Sequence, residues 1–502
     1  MFHQGLFYSF QMLRSQLYLV FLICISFSIL ADGQGKFVMS DPIKEAYKSI
    51  TSLKIEDGRS KLNLIRLHDP NNAMIWYIEN YADFFTLFIQ EDEELYKVLI
   101  KNKDERLKKI KSSDPSSPYY LFCQAEIILQ WATIKLKFDD KISAARDVYE
   151  AYKMLEKNQK LFPAFTENNK SLSIIHALAE SVPSWIRKIM GIKGSVDEGT
   201  QEISQLAKTA ATQNSIFKDE IIAIYSYILF YSNNKKEEAY QLFQKYGLDH
   251  RKSPLIAFLK STMAQKTGRN DEAIRILDER PTGKEYLPFY YLSFMSGKYK
   301  LSRLDKNAKE QILYFLRNFK GRHYIKEAWQ KLAWYEIIVR NDKNGYRKYM
   351  TYCMKEGDAL IDEDIQAYKE AKMQLIPDEI LLKARVLYDG GYYIKSQSLL
   401  ILQSDRFVNA IHDGEFYYRL ARVTEALKNY PDALEYYDLT IINSDPGKYY
   451  ACSAALNAGL IYEQQKKYGT ARQYFEKCLD LDPAGYSSSL HQKAKSALDR
   501  IK

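Results

Sequence analysis

The sequence predicts an all-α solenoid of antiparallel helix pairs, entered through an irregular helical N-terminal part. Three observations predict it. The 502 residues exceed what a single hydrophobic core usually sustains, so the chain needs several domains or a repeat array. A composition of 46% hydrophobic and 27% charged residues, with 21 Gly and 13 Pro, excludes disorder, collagen-like sequence and a loop-rich β fold. Finally, a frame of one small and one large residue recurs along the chain in steps of 34, 35, 37, 51, 37 and 38 residues.

The anchors of that frame are Ala239/Phe243, Ala273/Leu277, Ala308/Ile312, Gly345/Tyr349, Ser396/Leu400, Ala433/Tyr437 and Ala471/Phe475. Twelve residues before each stands a partner small residue, Ser261, Ser296, Ala333, Ala384, Ala421 and Gly459, with Tyr227 the exception. Small residues on facing helices let the axes approach, and the large ones fill the space beside them. The last copy is fullest: Gly459 and Tyr462 precede Ala471 and Phe475, and Pro483 then forbids further helix. Trp329-x2-Leu332-Ala333 gives a matching first helix upstream. Forty Tyr suit such layers, where half-polar rings fill gaps and hydroxyls reach water.

From Cys452 to Gly485 these residues fall at the spacing G-x2-Y…A-x3-F…P, by which the chain resembles tetratricopeptide-repeat proteins. The resemblance covers most of 220–485 and, more loosely, the N-terminal third. It implies a right-handed superhelix whose first helices line a concave groove for a protein or peptide. It also implies that the ninth residue of each repeat faces that groove; the series is Ile228, Thr262, Gly297, Trp334, Arg385, Arg422 and Leu460. The family's dicarboxylate clamp has asparagine there, so that activity does not carry over. Arg385 and Arg422, with Tyr418 beside them, can grip an acidic side chain or pair with Asp378 and Glu425. The whole layout is similar to exported tetratricopeptide proteins of the Bacteroidetes, and the segment Phe162 to Gly199 to an insert in the eukaryotic inclusion-body clearance family.

The boundaries follow. Leu17 to Leu30 is apolar but for Ser26 and Ser28, follows Arg14 and leads to Ala31-Asp32-Gly33, so 1–33 reads as a cleaved secretory signal, with an uncleaved anchor the alternative. The chain then reads as exported to the periplasm or cell envelope, or alternatively to a secretory lumen or the outside. No later segment is apolar enough to span a membrane. Residues 34–160 read as an N-terminal helical domain, in which Ala46, Gly58, Leu62 and Pro70 fit one repeat and Ala145-x3-Tyr149 a second-helix anchor. Residues 161–215 read as a non-repeat insert, 216–356 as repeats, 357–376 as an extra helical piece, 377–485 as repeats and 486–502 as a capping helix with Leu490, Ala494, Ala497 and Leu498 on one stripe.

Signals for chemistry are weak. Gly194-Ser-Val-Asp-Glu-Gly199 lacks the lysine of a phosphate loop and reads as a turn before a helix. The seven His share no metal-ligand spacing, and His250, His323 and His412 fall at helix ends as solvated or capping residues. Cys123, Cys353, Cys452 and Cys478 read as buried free thiols; a bridge between Cys452 and Cys478 is the alternative in an oxidising compartment, though packed helix axes favour free thiols. The net charge of +9 is spread out, and its densest run, Lys101 to Lys111, contains Asp104 and Glu105, which reads as a solvated helix face and not a nucleic-acid patch. No catalytic residue, cofactor or metal is expected. The function expected is a non-catalytic scaffold holding a protein or peptide at Trp334, Arg385, Tyr418, Arg422 and Glu425; the alternative is a cell-envelope glycan- or nutrient-binding component.

Overall fold

The computed structural model describes residues 34–180, 191–408, 413–445, 447–483 and 487–501. The signal segment, Pro183, Trp185 and His412 lie outside them. The described residues are helical, with two isolated bridges, Gly35 to Ser113 and Lys36 to Asn72. The chain divides into two compact units, one holding 34–88, 93–210 and 214–216, the other 89–92, 211–213 and 217–501.

In the first unit, α1 (Asp41–Thr51) and α2 (Ile55–His68) form a close pair. A Cβ at Gly58 would lie 2.3 Å from Ile50, so only glycine admits this crossing. The unit continues through α3 (Met74–Gln90), α4 (Glu93–Leu99), α5 (Lys101–Lys111), the long pair α6 (Tyr119–Lys137) and α7 (Lys141–Leu161), α8 (Asn169–Ala179) and α9 (Val196–Thr212). The core side of α7 starts one residue before the expected anchor: Ala144 and Tyr152 are buried, while Ala145 is exposed.

This unit has a polar interior. Asn80 accepts from Trp131 Nε1 at 3.0 Å and donates to Gln130 at 2.6 Å. Arg106 reaches Asp83 at 2.7 Å, and Lys170, buried, pairs with Glu126 at 2.6 Å. Arg106, Leu107 and Ile110 turn one side of the basic α5 inward, so that helix is solvated on its other side only.

The second unit is a series of helix pairs. They are α10 (Lys218–Tyr227) with α11 (Lys236–Lys245), α12 (Pro254–Lys266) with α13 (Asn270–Asp278), α14 (Tyr291–Ser302) with α15 (Ala308–Asn318), and α16 (Ile325–Arg340) with α17 (Lys343–Lys355). An added helix, α18 (Asp362–Met373), follows. Then come α19 (Glu379–Asp389) with α20 (Tyr393–Leu402), α21 (Asp413–Ala426) with α22 (Tyr430–Asn443), α23 (Tyr450–Gln464) with α24 (Tyr468–Asp480), and the terminal α25 (Ser487–Arg500).

The small-residue frame is where the pairs cross. Ala239, Ala273, Ala308, Ser396, Ala433 and Ala471 are fully buried, as are the large residues four positions on. Ser396 Oγ donates to the Ala384 carbonyl at 2.8 Å, and a Cβ at Gly459 would stand 2.5 Å from the Phe475 ring. One copy departs from the frame. In α17 the buried residues are Tyr346, Met350 and Cys353 instead of Gly345 and Tyr349. Asp342 fixes that start by accepting from Asn344 and Gly345, which puts Gly345 in the capped first turn and moves the core face one residue on.

Each pair turns through one left-handed residue, Asn234, Gly268, Leu304, Asn341, Gly391, Lys428 or Lys466, at φ between 52° and 80°. The next amide closes the first helix, as in Lys467 N–H to Tyr462 O at 2.9 Å. At Gly391 the glycine is obligatory for a second reason, since a Cβ would meet the Gly268 carbonyl at 2.5 Å. Two turns far apart in the chain therefore touch. Asn270 and Asp271 both bond the Tyr392 hydroxyl, at 3.1 and 2.8 Å, and Gln265 donates to the Asp389 carbonyl at 2.8 Å.

Two side-chain placements differ from expectation. His250 and His323 are buried, not solvated, and bond Glu279 at 2.8 Å and Glu91 at 2.7 Å. Cys452 and Cys478 are free and buried, as expected, with their thiols 3.4 Å apart.

If the crossings carry the stability, Ala471→Leu will overpack the α23–α24 contact and cost about 1–3 kcal/mol in urea unfolding. Gly469→Ala, on the same helix with nothing within 4 Å of the added Cβ, will instead stabilise by about 0.5–1 kcal/mol. Equal midpoints for the two variants would contradict the frame.

Candidate functional site

The first helices α14, α16 and α19 pack on one another, so that stretch of the inner surface is closed by the chain itself. Trp334, expected on an open groove, is accordingly 2% exposed. Its Nε1 donates to Glu370 of α18 at 2.7 Å, and the other carboxylate oxygen of Glu370 accepts from Gln330 at 2.7 Å. The cations of Lys331 and Arg385 lie 3.7 and 4.6 Å from its ring. The added helix also caps α16, since Asp364 accepts from the amides of Tyr324 and Glu327 at 2.7 and 2.9 Å. Gly297, the preceding member of the ninth-residue series, points away from a groove: a Cβ there would stand 2.5 Å from Ile312 of α15.

Past this closed stretch the inner surface opens. A cavity of about 110 Å³ lies between α19, α21 and the start of α23, lined by Arg385, Tyr388, Asp389, Arg419, Arg422 and Tyr449, among others. The sequence brings them together because positions 384 and 421 are the small residues of two crossings, which sets the following arginines, Arg385 and Arg422, at the same level of adjacent helices.

The three guanidinium groups are held differently. Arg419 bonds Glu415, one turn earlier on α21, at 2.9 Å through Nε. Burial opposes the charge of each, but mutual attraction holds the Arg419 proton more tightly and keeps the Glu415 carboxyl below its ordinary range. Arg422 donates to the hydroxyls of Tyr388 at 2.6 Å and Tyr418 at 3.2 Å and stands 3.9 Å from Glu425. Arg385 makes no hydrogen bond or ion pair among the described residues. It stacks on Trp334; burial opposes its charge, and Asp389, one turn on, favours it. The pairing considered between Arg385 and Asp378 does not form. Asp378 caps α19 through Ile380 and Leu381 and binds Arg406 at 2.5 Å.

Of the five residues singled out in the sequence, Arg385, Tyr418 and Arg422 line this cavity. Glu425 sits behind Arg422 and accepts from the Tyr437 hydroxyl, and Trp334 is the buried floor under Arg385. Sequence reasoning missed Arg419, Tyr388, Tyr449 and Glu370. The first two lie three residues from the noticed arginines, Arg422 and Arg385, a signal that could have found them. Tyr388 and Tyr449, the latter pushed up to about 12 mainly by burial, stay protonated with the arginines charged, so the cavity keeps one charge pattern around neutral pH.

A floor role for Trp334 has a measurable consequence. Trp334→Phe keeps most of the packing but removes the Nε1 donor to the carboxylate of Glu370, and should cost about 1–3 kcal/mol by denaturant unfolding. A groove residue free of such bonds would lose almost nothing.

Comparisons with known proteins bear on the family. Residues 414–484 match the family model described as tetratricopeptide repeat. No curated protein matches the sequence. Among solved structures, the tetratricopeptide domain of P58(IPK) is 15% identical, with 83% of this chain and 99% of that one covered at a TM-score of 0.21. Yeast Tom70 is 12% identical, with 83% and 96% covered at 0.23. At such scores neither likeness adds to what the helix pairs and the family match establish. The match places tetratricopeptide repeat at 414–484, and the helix pairs before it continue the same small-residue crossings.

Proposed function

We propose that the chain is an exported, non-catalytic scaffold that holds an acidic segment of a partner protein in the concavity between α19, α21 and α23. The observation that carries the reading is Arg385. A guanidinium set among protein atoms is stable when a carboxylate accepts its planar donors, and this one has an aromatic floor but no carboxylate in contact among the described residues. Arg422 beside it keeps its charge while bonded only to neutral hydroxyls and to a carboxylate 3.9 Å away. An incoming Asp or Glu side chain, or a chain terminus, supplies what is missing. A sugar suits the site less well, because Tyr418 is 6% exposed and its ring is taken up by Tyr449 and Tyr450.

Export rests on the apolar run Leu17 to Leu30 and its small-residue exit. Among the described residues no helix is long and apolar enough to cross a membrane.

Two measurements test the two halves. On an array of short acidic, neutral and basic peptides beside a glycan array, the parent should retain acidic peptides. Arg385→Glu should weaken them roughly tenfold or more at a stability within about 1–2 kcal/mol of the parent. Retention of glycans alone, or acidic peptides held equally by both proteins, contradicts the reading. N-terminal sequencing of native protein should begin between Ala31 and Gly35; a start before Leu17 would remove the argument for export.

A further inference from the structure

In the first unit α8 and α9 meet at unusual proximity. A Cβ on Gly199 would stand 2.3 Å from the Ser173 carbonyl oxygen and 2.7 Å from the Ala177 amide nitrogen, so the two backbones touch there. Before α9 the chain folds over α8 at Gly194, whose φ of +135° and 2.5 Å approach to His176 Cα leave no room for a side chain. The two glycines that look like part of a phosphate loop in the sequence instead press the start of α9 onto His176.

The result is a cluster of metal-type donors. His176 is buried, its ring set edge-on against Tyr152, and its Nδ1 lies 2.8 Å from Glu202 Oε2. Glu198 is one turn earlier on the same face of α9, and its carboxylate has no hydrogen-bonded or ion-paired partner among the described residues. One donor atom from each of the three lies within 4.8 Å of the others. Glu198 is exposed and Glu202 half-exposed, so the cluster opens to water on the α9 side while the imidazole behind it is fixed. Glu156 adds a third negative charge to the surroundings of the ring.

We propose that His176, Glu198 and Glu202 form a mononuclear site for a borderline divalent cation of the Zn²⁺ class. One imidazole nitrogen with two carboxylates suits Zn²⁺, Mn²⁺ or Co²⁺, whereas Mg²⁺ and Ca²⁺ take oxygen donors. On binding, the cation replaces the proton shared by Nδ1 and Glu202, Glu198 turns in from solvent, and water completes the coordination. The donors come from two helices that this cation would clamp together, so occupancy should stabilise the fold. The site does not depend on the peptide reading of the second unit.

The test uses chelator-treated full-length protein titrated with ZnCl₂ by calorimetry and thermal unfolding. The parent should bind Zn²⁺ at this site in the micromolar range or tighter, with a rise in Tm. Glu198→Gln, an exposed change that leaves the chelated protein at the parental Tm, should weaken this binding by about tenfold or more. His176→Ala should abolish it, with Glu198→Gln deciding the matter if His176→Ala fails to fold. Absence of a Zn²⁺-dependent rise in Tm for the parent, or an equal rise for Glu198→Gln, overturns the site.

Discussion

The structure depends on how closely two helices can cross where both carry a small residue. Ser396 reaching the carbonyl of Ala384, and Gly459 lying under the Phe475 ring, show axes drawn to a distance that any larger pair would prevent. Each crossing brings the large residues of the frame into contact with the neighbouring pair as well. The cluster of Tyr418, Ala421, Ala433, Tyr437, Ala454, Ala458 and Ile461 joins three successive helices in this way. Cohesion is therefore between neighbours, pair by pair, as in other linear arrays.

The same constraint makes the candidate site. Fixing 384 and 421 in their crossings sets Arg385 and Arg422 side by side on the inner surface, and the meeting of the Gly268 and Gly391 turns brings α19 against α14 and α16. That closure covers Trp334 and gives Arg385 a flat aromatic floor. The added helix α18 completes the floor through Glu370. Arg419 is matched from within by Glu415, whereas Arg385 has the Trp334 floor but no carboxylate in contact among the described residues.

Much of the array was legible in the sequence because its signal is repetition: anchors 34 to 38 residues apart, but for one step of 51, mark all but one of the crossings without any knowledge of contacts. The two off-by-one anchors, Ala145 for Ala144 and Gly345 for Tyr346, come from helix starts set by local caps, which a fixed spacing does not register. Trp334 was misread for a different reason. Its burial depends on turns 122 residues apart meeting, and periodicity carries no information about such closure. The buried His250 and His323 pairs and the His176 cluster share that origin, since their partners lie on distant parts of the chain. The left-handed turns were hidden because Leu304, Lys428 and Lys466 fill positions where glycine or asparagine would have announced them.

The central claim is that an acidic chain segment occupies the concavity over Arg385. Hydrogen exchange read by mass spectrometry, with and without a saturating acidic peptide, tests it most directly. The account predicts slowed exchange confined to α19, α21 and the beginning of α23, with α20 and α22 behind them unchanged. Protection confined to other helices, or none at saturation, would contradict it.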